Sequence, residues 1–292
     1  MSEKTEPNGS TEHPSIIPFP LSIHSFQEIK QEIKNEFQFP QLVEILTFFA
    51  CGVLGKVIPK LFHVWESPIP YQETSSGDII LDLELNYPFN ERETVPDWVV
   101  VVTCVILPIL LYCFMGLLSG PTGDTHAILC TLFIAVGLSE LITDLVKLYC
   151  GRFRPNFYNM CGFDSVTKEC LVKDLHRLYD SRKSFPSGHA SVSVTSMLVL
   201  SFYFAGKVGI QRSVPSVKVK LFYLAAWTPM LFALFVAASR VHDFYHHPAD
   251  ILGGSFIGGI CAVMAHGMWY VIQLYKMVSQ AFYTTFLPSC FH

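Results

Sequence analysis

The sequence predicts an all-α membrane protein, a bundle of six membrane-spanning helices with its functional site formed by loops and helix ends on one membrane face. Hydrophobic residues make up 51% of the 292 residues and charged residues only 15%, with a mean hydropathy of +0.38. One soluble core of ordinary composition carries less apolar material than this. The apolar residues form segments of about 20, the length of a helix that crosses a bilayer. Polar motifs containing His, Lys and Arg lie at the ends of these segments.

Five segments meet this length clearly, and a sixth, residues 42–62, meets it less well. The clear ones are, in chain order, residues 98–118, 127–146, 190–206, 221–238 and 251–274. The weaker segment carries Glu44, Lys56 and Lys60, so a helix lying along the membrane surface is the alternative. We favour a span, because an apolar stretch of this length crosses a bilayer.

The chain divides into a membrane domain and two tails. Residues 1–38 mix Ser, Glu, Lys and Pro and would bury little apolar surface, so we expect a polar cytosolic tail. Residues 39–277 form the six-span domain, and residues 278–292 form a short C-terminal tail. Two glycine pairs in the last span predict close helix packing, Gly253-Gly254 and Gly258-Gly259.

The loop charges predict the orientation, because cytoplasmic loops are enriched in Lys and Arg. The linker after the fourth span has no acidic residue and four basic ones, Lys207, Arg212, Lys218 and Lys220. Placing this linker in the cytosol puts both termini there and the motif-bearing loops on the luminal or extracellular face. The loop after the third span is also basic, but it is longer and two of its cations, Lys147 and Arg154, have a chemical use. The membrane is an endomembrane or the plasma membrane.

Neither a nucleic-acid partner nor a cofactor is expected. The formal net charge is −4, and no basic stripe runs along any segment. No CxxC or Cys/His spacing indicates a zinc site, and no metal is predicted. A homo-oligomer is left open. Cys161 and Cys170 bracket a polar loop and form either a disulfide or two free thiols, depending on the compartment they face.

The first polar motif follows the third span and contains Lys147 and Arg154-Pro155. The two cations would lie roughly two helical turns apart if the helix continued through both, and together they could hold a phosphate. Either one alone would suit a side chain that reaches for lipid headgroups. Glu140 and Asp144 share a helix face with Lys147, so Asp144 would hold the ammonium in position. A purely structural ion pair is the alternative.

The second motif, Pro186-Ser187-Gly188-His189, lies where a polar loop turns into the fourth span. Backbone N–H groups at a helix N-terminus carry partial positive charge and bind phosphate readily. Ser187 and Gly188 would supply that cradle. His189 beside it could donate a proton to a leaving oxygen.

The third motif places Ser239-Arg240, His246 and Asp250 within twelve residues. Asp250 follows His246 by about one helical turn, so it could accept a hydrogen bond from the ring and stabilise its positive charge during nucleophilic attack. His242 and His247 are rivals for the nucleophile, but only His246 has an acidic residue four positions later. A metal site built from the His and Asp side chains of this segment is a further alternative.

The three motifs, in this order and with spans between them, resemble the signature of the type 2 phosphatidate phosphatases, also called lipid phosphate phosphatases. The likeness covers roughly residues 40–275, including Tyr87-Pro88-Phe89 ahead of the second span. It implies that His246 attacks phosphorus to give a phosphohistidine, that Asp250 orients it, and that His189 protonates the leaving group. It also implies metal-independent catalysis and a set of residues that bind the phosphoryl oxygens, Lys147, Arg154, Ser187, Gly188 and Arg240.

The expected activity is therefore hydrolysis of a lipid phosphate ester such as phosphatidate, lysophosphatidate or diacylglycerol pyrophosphate, which releases inorganic phosphate. The substrate would reach the site laterally from the bilayer. Polyprenyl or dolichyl pyrophosphate and sphingoid-base phosphates are alternative substrates. A headgroup transferase similar to the sphingomyelin synthases is another enzyme class, and a scaffold with a degenerate site is the non-enzymatic alternative.

Overall fold

The computed structural model describes residues 39–119, 124–209 and 217–286. The N-terminal tail, the centre of the basic linker and residues 287–292 lie outside the described residues. The elements in chain order are α1 Phe39–Val57, β1 Tyr71–Glu73, β2 Ile79–Leu81, α2 Asp97–Val101, α3 Leu107–Ser119, α4 Asp124–Cys150, α5 Phe157–Cys161, β3 Phe163–Asp164, β4 Glu169–Cys170, α6 Leu175–Asp180, α7 Gly188–Gly209, α8 Val217–Ala225, α9 Pro229–His242 and α10 Pro248–Phe286.

Within the described ranges, six helical stretches are long and apolar enough to cross a membrane. These spans are, in order, Pro40–Leu61, Asp97–Leu117, Thr125–Cys150, Gly188–Val208, Val217–His242 and Pro248–Trp269. A π-helical turn, Val102–Ile106, joins α2 to α3 within the second span. The predicted all-α, six-span architecture is confirmed, and the last helix continues to Phe286, past the predicted end of its span.

The fourth span is the centre of the bundle. In its most apolar stretch 72% of the residues are buried, against 50% or less in the other five spans. Small hydroxyl residues make this burial compatible with a close-packed helix, because their hydroxyls bond to nearby carbonyls. Thr195 Oγ1, for example, donates to the Ser191 carbonyl at 2.7 Å. The third, fifth and sixth spans pack around this helix.

The sixth span approaches the fourth through glycines. The predicted close packing is confirmed at Gly253, Gly254 and Gly258. A Cβ added to Gly254 would lie 2.3 Å from the Ser187 carbonyl oxygen, a distance that no side chain tolerates. At Gly259 the prediction is wrong, because a Cβ there would meet nothing within 4 Å.

The first span packs side by side with the third in the same direction. Near their starts, Glu44 lies 3.2 Å from His126. At mid-length a Cβ on Gly137 would lie 2.4 Å from the Gly52 Cα atom. Towards their ends, Lys56 contacts Glu140. The first helix is therefore part of the bundle rather than a separate surface helix.

The segments outside the spans form a small folded cap at the end of the bundle that carries the motifs. β1 and β2 form an antiparallel hairpin, as do β3 and β4. The structure joins Cys161 and Cys170 in a disulfide, the first of the two alternatives left open by the sequence. Phe157 and Tyr158 pack beside it in a local apolar cluster. This cap holds the loops that carry Arg154 and Ser187 against the helix ends.

Candidate active site

His246 lies in the turn between α9 and α10, and only 4% of the residue is exposed. Its Nδ1 atom is 2.6 Å from the backbone carbonyl oxygen of Ser184. A carbonyl oxygen only accepts hydrogen bonds, so Nδ1 carries the proton and Nε2 keeps its lone pair. Burial, reinforced by the positive charges of Arg154 and Lys147, lowers the pKa of His246 to about 3. The ring is therefore a neutral imidazole with a nucleophilic nitrogen.

Asp250 is completely buried and accepts from several donors. Its carboxylate accepts from the Ser184 hydroxyl at 2.6 Å and from the His247 backbone N–H at 2.8 Å. The Arg152 guanidinium donates to its other oxygen at 2.8 Å. The His246 Nδ1 atom lies 3.7 Å from the carboxylate, beyond hydrogen-bonding distance. The predicted direct bond is thus replaced by an electrostatic contact, because the Ser184 carbonyl takes the ring proton.

Arg154 is 8% exposed and is fixed at two of its nitrogens by Asp180. Its Nη2 donates to the Asp180 carboxylate at 2.7 Å and its Nε to the Asp180 carbonyl at 2.8 Å. Burial opposes ionisation of Asp180, but Arg154 and Lys147 outweigh it and hold its pKa below the ordinary value. The helix of Lys147 ends at Cys150, so Arg154 lies in the loop that follows and the two cations do not share one helix.

Arg240 is 1% exposed and is bound by two acidic residues. Its Nη1 donates to Glu93 at 2.7 Å and its Nη2 to Asp243 at 2.8 Å. The ring of Tyr245 lies between the two arginines, with its centroid 5.1 Å from the guanidinium carbon of Arg154 and 5.6 Å from that of Arg240. One aromatic ring therefore spaces two cations that would otherwise repel each other.

Lys147 meets the start of α7. Its Nζ atom is 3.2 Å from Asp144 Oδ1, as the helical spacing predicted. A Cβ on Gly188 would lie 2.9 Å from the same Nζ atom, so glycine is needed for this approach. The first-turn N–H groups of Gly188 and His189 have no helical carbonyl to bond. The Lys147 ammonium and the N-terminus of α7 thus form one electropositive surface.

Ser187 supports the site from behind. It is fully buried, and its backbone N–H donates to the Asp250 backbone carbonyl at 3.0 Å. Its hydroxyl accepts from the Ala190 N–H at 3.4 Å, which caps the helix. The expectation that the Ser187 N–H faces a phosphate is therefore wrong, because that group is already bonded inside the protein.

His189 faces His246 across the site from the fourth span. Its Nε2 atom is 3.0 Å from the Val95 carbonyl oxygen, which assigns the proton to Nε2. Asp97 lies 3.6 Å and Glu93 4.0 Å from the same atom. The protonated nitrogen therefore points towards the segment that precedes the second span.

A cavity of about 730 Å³ joins these groups. Its polar end is lined by six of the eight predicted residues, His246, His189, Lys147, Arg154, Gly188 and Arg240. The cavity continues between the first three spans along apolar side chains such as Phe49, Val53 and Phe133. Asp250, Ser187 and the rival His247 do not line it. The three motifs thus converge on a single cavity that continues between membrane-spanning helices.

Several residues that complete the site were not predicted from the sequence. Asp180 and Glu93 bind the arginines, Ser184 connects His246 with Asp250, and Tyr245 lies between the guanidinium groups. No periodicity or paired spacing marks them. Their contacts depend on how the cap folds onto the helix ends, which the sequence does not show. The one sequence signal for any of them is that Tyr245 directly precedes His246.

The structure does not bring the His and Asp side chains considered for a metal site together as a set of ligands. Asp243 is bonded to Arg240 and to the Thr94 N–H and hydroxyl groups at 2.7 Å each. Across the ranges that the structure describes, no group of three or more His, Cys, Asp or Glu side chains could hold a metal ion.

The sequence of the chain is similar to those of known proteins. The chain is 33% identical over 207 residues to "Lipid phosphate phosphatase 1" of Arabidopsis thaliana, which covers 69% of this chain and 62% of that protein. It is 34% identical over 200 residues to "Lipid phosphate phosphatase 2" of the same plant, covering 65% and 66%. The chain therefore spans slightly less than two thirds of these two relatives.

A more distant relative is "Diacylglycerol pyrophosphate phosphatase 1" of Saccharomyces cerevisiae, which is 26% identical over 209 residues, 67% of this chain and 71% of that protein. No solved structure matches the chain significantly. The family model described as "PAP2 superfamily" matches residues 128–273, half of the chain, and this range contains all three motifs. The chain belongs to the PAP2 superfamily.

Proposed function

We propose that the protein hydrolyses phosphate esters of membrane lipids through a phosphohistidine intermediate formed on His246, without a metal ion. One observation carries the proposal: a buried, neutral His246 lines the same cavity as three cations, and this cavity continues as an apolar slot between the first three spans. A phosphate would meet the cations while its lipid chain remained in the slot. Membership of the PAP2 superfamily supports the same chemistry.

In the first step, the His246 Nε2 lone pair attacks phosphorus. The N–P bond forms as the P–O bond to the lipid breaks. The departing oxygen takes a proton from the Nδ1 atom of a protonated His189, whose Nε2–H stays bonded to the Val95 carbonyl. Lys147, Arg154 and Arg240 stabilise the charge that develops on the phosphoryl oxygens. The lipid leaves as an alcohol, and the phosphoryl group remains on His246.

In the second step, His189 removes a proton from water. The water oxygen attacks phosphorus, the N–P bond breaks, and inorganic phosphate is released with His246 restored. While phosphorylated, the imidazole carries positive charge and still needs an acceptor at Nδ1. The Ser184 carbonyl supplies it at 2.6 Å, and the buried Asp250 carboxylate adds a negative charge 3.7 Å away.

The proposed substrates are phosphatidate, lysophosphatidate, diacylglycerol pyrophosphate and related lipid phosphates. The names of the plant and yeast relatives support this class. The apolar slot supports lateral entry from the bilayer, since Phe49, Val53 and Phe133 line it from two neighbouring spans. Sphingoid-base and polyprenyl phosphates are substrates of the same chemistry and belong in the same assay.

We also propose that both termini are cytosolic and that the site faces the lumen or the exterior of an endomembrane or the plasma membrane. The basic residues of the linker after the fourth span support this orientation. The disulfide between Cys161 and Cys170 supports it too, because disulfides persist in oxidising compartments. Cysteine labelling from either side of sealed vesicles would test the assignment.

The experiment that tests the function is an assay of purified protein with a panel of lipid phosphates in EDTA. We expect release of inorganic phosphate from phosphatidate and lysophosphatidate. An added acceptor alcohol separates hydrolysis from headgroup transfer, since a transferase would produce a new phosphodiester. Activity that requires a divalent cation, or a phosphodiester as the main product, would contradict the proposal.

A further inference from the structure

A chain of four charged side chains extends from the phosphate site down into the membrane-spanning region. Lys147 Nζ contacts Asp144 Oδ1 at 3.2 Å, and Lys56 Nζ lies 3.6 Å from the other Asp144 oxygen. Lys56 also contacts the carboxylate of Glu140. Lys56 comes from the first span and the other three come from the third. We call the side chains of Lys56 and Glu140 the Lys56–Glu140 pair.

The Lys56–Glu140 pair lines the cavity. Lys56, Glu140 and Lys147 all line it, whereas Asp144 does not. Neighbouring lining residues such as Phe49 and Val136 are apolar. The pair is therefore a polar site within the apolar slot. Charged residues at this depth are costly in a membrane and mark functional positions.

Holding Lys147 in place does not require this pair. Asp144 already contacts Lys147 directly, and Gly188 lets the ammonium approach the start of the fourth span. Closing the first span against the third does not require it either. Glycines at Gly52 and Gly137 make that contact through the backbone. The pair therefore has hydrogen-bonding groups that are needed neither to position Lys147 nor to pack the first span against the third.

The depth of Lys56 and Glu140 below Lys147 identifies which part of a lipid substrate they would contact. Along the third span, Asp144 and Glu140 lie roughly 4.5 Å and 10.5 Å below Lys147, at 1.5 Å of rise per residue. Lys56 Nζ contacts both carboxylates and so lies between these levels. With the phosphate at Lys147, the next atoms of a lipid that enters the slot are those of its backbone.

We propose that Lys56 and Glu140 form a subsite for the polar backbone of the lipid, which they recognise through its hydroxyl and ester oxygens. This inference rests on the proposed function. The Lys56 ammonium has three N–H donors, and two carboxylates leave one for an ester or hydroxyl oxygen. The Glu140 carboxylate accepts from a backbone hydroxyl. The preferred substrate is a phosphate ester of an oxygen-bearing lipid backbone rather than of a plain alkyl chain.

The test compares two phosphate monoesters of equal chain length in the same detergent micelles. Lysophosphatidate carries an ester and a hydroxyl next to its phosphate, and an alkyl phosphate carries neither. The variant is Lys56→Met with Glu140→Gln, because removing one partner alone would leave an unpaired charge. Lys60→Met is the matched control, since Lys60 is exposed at the same end of the span and does not line the cavity.

We expect the ratio of kcat/KM for lysophosphatidate to that for the alkyl phosphate to fall about tenfold in the double variant, the loss of roughly one hydrogen bond to a charged group. The ratio in Lys60→Met should match that of the unmodified protein. Lys56→Arg keeps the charge and the pairing with Glu140 but changes the donor geometry. It should lower the ratio less than the double variant, and it provides a second measurement if the double variant folds poorly.

Equal losses for both substrates would overturn the subsite and assign the pair to positioning of the catalytic groups. An unchanged ratio in the double variant, or in Lys56→Arg where only that variant folds, would also overturn it. If the unmodified protein hydrolysed neither monoester, the proposed function itself would fail. The two failures are therefore distinguishable.

Discussion

The Nδ1 atom of His246 donates to the backbone carbonyl of Ser184 at 2.6 Å, while the hydroxyl of the same serine donates to Asp250 at 2.6 Å. One residue of the loop that precedes the second motif thus connects the nucleophile and the carboxylate of the third motif. The carbonyl fixes the tautomer, and the hydroxyl fixes the carboxylate that faces the ring. The site consequently depends on the loop between Arg182 and Pro186 as much as on the i, i+4 spacing of His246 and Asp250.

Ser184→Ala removes the hydroxyl and keeps the carbonyl. We expect kcat to fall about tenfold, because the Asp250 carboxylate loses one of its hydrogen bonds, with little change in KM. Asp250→Ala should cost more, since the negative charge beside the phosphorylated ring is lost entirely. Initial rates on lysophosphatidate measure both variants. A Ser184→Ala protein as active as the unmodified one would show that the hydroxyl has no role in positioning.

Gly254→Ala should disable the site through packing. The added Cβ would meet the Ser187 carbonyl at 2.3 Å, so the sixth span must move away from the second motif. We expect activity to fall at least tenfold and the melting temperature to drop, since overpacking costs about 1–3 kcal/mol. Gly259→Ala is the matched control five residues later, where a Cβ meets nothing within 4 Å. Similar behaviour of the two variants would contradict the packing account.

Arg154→Lys should impair phosphate binding even though the charge is kept. A lysine cannot bond the Asp180 carboxylate and carbonyl at once and still face the phosphate. We expect kcat/KM to fall about tenfold to a hundredfold, the value of a charge-assisted hydrogen bond. Arg177→Lys, the same change in the neighbouring α6 outside the cavity lining, should leave kcat/KM unaltered. Equal activity of Arg154→Lys and the unmodified protein would refute the assigned contact.

The lowered pKa of His246 makes stability depend on pH. Its folded value is about 3 and its ordinary value is 6.5, so between these limits the unfolded chain binds a proton that the folded protein does not. The free energy of unfolding therefore falls as pH drops from 6.5 towards 3, by up to about 1.4 kcal/mol per pH unit from this residue. His246→Asn should show a shallower fall in denaturant unfolding in detergent. Parallel profiles would mean that the ring is protonated in the folded state.

The sequence predicted the parts of this structure that depend on local pattern. Hydropathy marked all six spans, and the two spans between His189 and His246 bring the chain back to the same membrane face. Three of the four glycines in the two predicted pairs pack closely as expected, against the fourth span or the residues just before it. Because an even number of spans separates the second and third motifs, the sequence also predicted that three distant motifs could share one cavity.

What the sequence did not predict depends on competition between partners in the folded cap. The helical spacing of His246 and Asp250 brings them close, yet a carbonyl from another segment takes the ring proton. Ser187 appeared suited to bind phosphate, but the sixth span binds its N–H group. Asp180 ends the short helix α6 and Glu93 lies in a loop. Neither position is marked by a periodic pattern, so only the tertiary fold reveals that these residues hold Arg154 and Arg240.

The most direct test of the central claim is to trap the phosphorylated protein. Substrate labelled with radioactive phosphorus is mixed with the purified protein, the reaction is stopped within milliseconds to seconds, and the labelled peptide is mapped. We predict an acid-labile, base-stable phosphoryl group on His246, absent from His246→Asn, which should also release no phosphate. Label on another residue, or normal phosphate release by His246→Asn, would contradict the account.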